Sequence, residues 1–170
     1  GAAFWIIRTA PIPLGDFLWS KFWTGLVPVL LLSEILIVAG NELLGVDPFL
    51  KRMSAVAIVF MAFALVGLAT GLGARYPRFA AENASQIAGS YGGVAFMIIA
   101  VLFILVMIVL LGWPSSIYLL SELRNRPLTG GQELAIVAMF TAAALASIAT
   151  FLLGMRTGLR ALQDMDRTPS

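Results

Sequence analysis

The 170-residue chain is 60% hydrophobic and only 12% charged, more apolar surface than a soluble core of this size can hide, so its main solvent is lipid and its class all-α integral membrane. A formal net charge of +2, spread along the sequence, gives no basis for nucleic-acid binding. With no cysteine and no histidine, the chain cannot form disulfides, thiolate or imidazole metal sites, histidine-ligated haem, or Cys/His and Ser/His catalytic pairs.

Residues 4–23, FWIIRTAPIPLGDFLWSKFW, are aromatic at both ends and basic at Arg8 and Lys21. Pro11 and Pro13 each lack a backbone N–H and clash with a preceding turn, so the stretch is expected to bend there into two short pieces. After the bend, Leu14, Phe17, Leu18 and Phe22 fall on one helical face, with Asp16 and Ser20 on the other. Such a helix suits the level of lipid headgroups, either as an anchor leading into the membrane or as a docking element for a partner.

Residues 22–44 are long and apolar enough for a first span, kinked at Pro28. Glu34 and Asn41, seven residues apart on one face, are expected to look into the bundle. Two readings stand for Glu34: a group on a substrate or proton path, or a helix-to-helix hydrogen bond. Residues 41–52, with Gly45, Asp47, Pro48, Lys51 and Arg52, read as a loop. The second span follows over 53–73, where Gly67 and Gly71 form a G-x-x-x-G pair suited to close helix packing.

Residues 74–93 turn polar, and their glycines lack the G-K-[ST] ending of a phosphate loop. A third span, apolar all round, is expected over 94–112. Residues 113–133 then form the longest outer connection, in which 115–123 read as a short re-entrant or surface helix. Thr129 and Gln132 have the spacing of a capping box at the start of the last helix, whose span covers 134–153. Ala138, Ala142 and Ala146, continued by Thr150 and Gly154, recur every four residues as a small-residue seam. Residues 155–170 read as a polar tail.

Four spans put both termini on one side. That side gathers Arg8, Lys21, Arg75, Arg78, Arg156, Arg160 and Arg167, against Lys51, Arg52, Arg124 and Arg126 on the other. The positive-inside rule therefore orients both termini and the 74–93 loop to the cytoplasm of a multi-pass protein of the cell membrane.

The order of features, R-T-A-P-I-P-L before a short amphipathic helix, a K-F step into a span and three further spans, resembles the C-terminal four spans of permease subunits of type-2 ATP-binding-cassette exporters. The resemblance covers nearly the whole chain in layout. It implies that residues 1–21 are the coupling segment that docks on an ATPase subunit, carried by Arg8, Pro11, Pro13, Asp16, Phe17 and Lys21. It also matches residues 75–86 to the cytoplasmic loop before the fifth span of that family, and 115–123 to its outer re-entrant helices. Six spans are usual there, which places two ahead of Gly1.

The function expected is thus a transport permease in the lipid bilayer, partnered by an ATP-binding-cassette ATPase subunit and a second permease copy or half. ATP would be held by the ATPase, with no cofactor and no catalysis in this chain; Glu34 and Asn41 are the pathway candidates. The alternatives are a structural or assembly subunit of a membrane complex, or a membrane-embedded enzyme, for which Glu34, Asn41 and scattered hydroxyls offer no convincing nucleophile and base.

Overall fold

A computed structural model describes residues 13–76 and 91–167. Among them there are four helices and no strand: α1 (Leu14–Leu43), α2 (Pro48–Arg75), α3 (Tyr91–Leu123) and α4 (Gly130–Arg167). All four are long and apolar enough to cross a membrane, so this is a multi-pass membrane protein of the expected all-α class. At 1.5 Å per residue even the shortest is about 42 Å long, more than the ~30 Å of a hydrocarbon core. The helices run up and down in turn. We call the end where α1 and α3 start proximal, and the end of the α1–α2 and α3–α4 turns distal.

Local sequence explains the two distal turns. At the end of α1, Gly45 adopts φ +61, Gly45 N–H donates to Glu42 O (3.2 Å) and Val46 N–H to Asn41 O (3.1 Å), a Schellman cap that needs a left-handed residue. Asn125, φ 47, repeats it after α3, with Asn125 N–H donating to Glu122 O and Arg126 N–H to Ser121 O. Asp47 caps α2 by accepting from Phe49 N–H at 2.7 Å, and Pro48 occupies the first turn, where no N–H is needed. Helix α2 therefore begins before Lys51 and Arg52, which were expected in a loop. The Thr129 N–H donates to Gln132 Oε1 (3.0 Å), one arm of the expected capping box.

Two expected breaks are absent. The short helix expected up to residue 21 and the span expected from 22 are one uninterrupted rod, α1, since no proline intervenes between Pro13, which caps it, and Pro28 inside it. The outer helix expected over 115–123 is likewise the continuation of α3 through Pro114. Pro114 is fully buried, and Ser115 Oγ–H donates to Leu111 O (2.6 Å) while Ser116 Oγ–H donates to Trp113 O (2.7 Å), adding side-chain donors to carbonyls beside the proline. The outer connection shrinks to residues 124–129. Helix α4 extends through much of the expected tail, with Met155, Gly158 and Leu162 buried.

Helices α2 and α4 make the most extensive pair, and α1 and α3 lean on it from different sides. One core cluster joins Leu18, Phe22 and Leu26 of α1 to Ala62 and Val66 of α2 and Met155 and Leu162 of α4. The other joins Ala64 of α2 to Phe103 and Met107 of α3 and Ala143 of α4.

Candidate functional site

The residues singled out by sequence fall at opposite ends of the molecule. Arg8 and Pro11 lie outside the described residues. Pro13 stands at the proximal start of α1, followed by Asp16 in the first turn, where a carboxylate meets the positive end of the helix dipole. Phe17 is half-buried, and the Lys21 ammonium folds back over its ring, 5.7 Å from the centroid. The apolar face of these turns is covered by protein: Leu14, Phe17 and Leu18 lie in one cluster with Met155, Leu159 and Leu162 of α4. What remains free is the polar face, with Asp16, Ser20 and Lys21 exposed.

Just inside this end the α2–α4 contact is backbone on backbone. A Cβ at Gly71 would collide with the Gly154 carbonyl, one at Gly158 would sit 2.8 Å from Gly71 Cα, and one at Gly67 would meet the Phe151 ring at 2.6 Å. On α4, Ala138 is exposed and Ala142 and Ala146 only half-buried, while the buried line runs through Ile136, Ala143, Ser147 and Gly154. Beside the glycines, Phe22 makes ring contacts with Phe63 (5.7 Å between centroids) and Phe151 (5.3 Å).

Toward the distal end α1 has no buried residue beyond Leu26. Its half-buried positions, Leu30, Ser33, Glu34, Ile37 and Asn41, nevertheless continue one face. Glu34 makes no hydrogen bond or ion pair with the described residues, so the expected helix-to-helix hydrogen bond is not formed among them. Asn41 is tied to α2: its Nδ2 donates to Ser54 Oγ at 2.7 Å.

Asn41 also lines an open-sided cavity of about 240 Å³ to which all four helices contribute, with Ile37 from α1, Met53, Ser54, Ala57 and Met61 from α2, Leu111 and Ser115 from α3, and Phe140 from α4. Val46 of the turn and Leu50 of the first turn of α2 line its distal side. Around that side Tyr118 O–H donates to Asp47 Oδ2 at 3.2 Å, the Tyr118 and Phe49 rings lie 4.8 Å apart, and Lys51 Nζ pairs with Glu42 Oε1 at 2.8 Å. The sequence pointed to Asn41 by its place on the Glu34 face but not to Ser54, Asp47, Ser115 or Tyr118 as its neighbours. Asp47 was legible as part of a turn, but not that α3 would continue far enough to bring Tyr118 onto it.

Chemically the two places differ. The proximal face is polar and exposed, and the distal cavity has hydroxyls and an amide in its wall and no ionisable group. A family model described as "Putative ATP-binding cassette" matches residues 1–167. No curated protein and no solved structure matches the chain.

Proposed function

The chain belongs to the ATP-binding cassette family defined by that match, and we propose that within it the chain serves as the transmembrane permease component of a type-2 exporter, powered by a separate ATPase subunit and paired with a second permease copy or half. The observation that carries this reading is the construction of the proximal end. The first turns of α1 present Asp16, Ser20 and Lys21 outward while their apolar face is packed on α4, and the same helix continues without a break to Glu34 and Asn41. A push on the polar face therefore acts on one continuous helix, in which Pro28, between Lys21 and Glu34, removes a single backbone hydrogen bond. ATP binding and hydrolysis belong to the partner, and this chain contributes the moving path. By the positive-inside rule, the proximal end faces the cytoplasm of the cell membrane.

Asp16→Arg tests the docking face. It reverses a charge favourable to the helix start at an exposed position, so the protein should reach the membrane at near-normal level while the copurified ATPase and its transport-coupled hydrolysis fall about tenfold or more. Normal copurification and hydrolysis would remove the coupling role and leave a structural or assembly subunit. Glu34→Gln tests the path: the bulk is kept and the ionisable group lost. Folding should be unchanged and transport reduced; transport equal to the parent would take Glu34 out of the path.

A further inference from the structure

The distal cavity carries an inference about its ligand. Its lining from Ile37 to Phe140 contains three polar side chains, Asn41, Ser54 and Ser115, and no charged one. An ion or a fully charged headgroup would meet no countercharge in that lining to offset the hydration it gives up. The volume, about 240 Å³, lies below the roughly 300–1,000 Å³ of pockets for drug-sized ligands, so the occupant is small. Met53 and Met61 supply flexible apolar wall that adapts to an irregular shape.

The polar groups set the headgroup. Ser54 Oγ–H donates to Lys51 O at 3.0 Å, which leaves Ser54 Oγ to accept from Asn41. The Asn41 amide is accordingly placed with Nδ2 toward Ser54 at 2.7 Å, which leaves the carbonyl oxygen Oδ1 with no partner among the described residues. Ser115 likewise commits its proton to Leu111 O at 2.6 Å. The hydroxyl protons of the wall are thus both spent, and the strongest open group is an amide carbonyl. Among the described residues every side-chain polar atom sealed from solvent has a partner, so an unpartnered Asn41 Oδ1 is an atom a ligand can reach.

We propose that this cavity binds a small neutral amphiphile, an apolar body with one hydroxyl or N–H group that donates to Asn41 Oδ1. That such a molecule is cargo rests on the permease reading above; the binding site does not.

The absence of cysteine from the chain gives a direct assay. In the full-length transporter with its ATPase, reconstituted in phospholipid nanodiscs, Ala57→Cys places a thiol in the cavity wall and Val56→Cys one on the exposed, lipid-facing side of the same helix. Labelling of each by N-ethylmaleimide is followed with octan-1-ol, its isomer methyl heptyl ether, octanoate or octylammonium present. Octan-1-ol should slow labelling of Ala57→Cys saturably, and about threefold to tenfold more effectively than the ether, the ratio that one hydrogen bond gives. The two ions should protect no better than the ether, Val56→Cys should show no such ranking, and Asn41→Leu should erase the advantage of the alcohol. Equal protection by the two isomers overturns the proposal. So does equal behaviour of the two cysteines, or a cavity thiol that no added compound protects because a phospholipid chain already fills it. If Ala57→Cys fails to accumulate, Met61→Cys in the same wall is read by the same criteria. Loss of ATPase copurification with the ranking intact would sink the permease reading and leave the site standing.

Discussion

At the proximal end Gly67 and Gly71 of α2 meet Gly154 and Gly158 of α4 with no side chain between them, and Phe22, 0% exposed, fills the angle where α1 joins. At the distal end the same helices are held apart by a cavity and tied by Asn41 to Ser54, Tyr118 to Asp47 and Lys51 to Glu42. The contrast teaches how a membrane bundle can be stiff at one end and adjustable at the other. Lipid is as apolar as leucine, so helices gain little from simple apolar contact, and backbone approach through glycine is what makes an immobile joint. Polar ties near the membrane edge can exchange partners with water, and a cavity leaves room for side chains to move.

The comparison can be broken first at Gly71. Gly71→Ala forces a methyl group into the Gly154 carbonyl, backbone that cannot give way, and should cost at least the ~1–3 kcal/mol of an overpacked core. Gly40→Ala, with nothing within 4 Å of the new methyl, is the control and should be neutral or slightly stabilising. Thermal unfolding followed in detergent should show a fall of several degrees for the first and none for the second. Equal behaviour of the two would mean that the glycine joint is not what holds the proximal end.

A smaller effect is expected from Tyr118→Phe, which keeps the ring against Phe49 and removes only the hydrogen bond to Asp47. The loss should be about 0.5–1.5 kcal/mol, read as earlier hydrogen exchange at the start of α2 and the end of α3, with the proximal half unaffected. Faster exchange at both ends would show that the two regions are one cooperative unit. The smallest effect belongs to Glu42→Gln. The Lys51–Glu42 pair is solvent-accessible, with the Glu42 side chain 67% exposed, so the change should lie within ~1 kcal/mol and vanish in high salt. A larger, salt-insensitive loss would show that the distal ties are as rigid as the glycine joint.

Particular residues show how much was legible. Gly45, Asp47 and Pro48 announced the first turn, because left-handed caps, carboxylate N-caps and first-turn prolines are local requirements that a few neighbours satisfy. The Gly67–Gly71 pair announced a close helix approach for a similarly local reason: without a Cβ, backbone can come near. The alanines at 138, 142 and 146 misled by one position, since the buried line is Ile136, Ala143, Ser147 and Gly154. An alanine is at home against lipid or protein, so small-residue periodicity identifies a possible seam without choosing the face that is used. Pro114 misled in the other direction. In water a proline followed by polar residues ends a helix, but in a membrane a broken helix leaves carbonyls without partners, and α3 continues instead.

By itself the sequence determined the solvent, the number of spans, the all-helical class and the first turn at the distal end, because hydropathy and cap chemistry act over a few residues and hold whatever the chain packs against. Only the tertiary structure decided that the start of α1 is clasped by α4, that glycines of α2 and α4 share one joint, and that Asn41, Ser54 and Ser115 line one cavity. Those are contacts between residues tens of positions apart. Which of several suitable faces meet depends on how four rods fit together at once, and no local pattern carries that information.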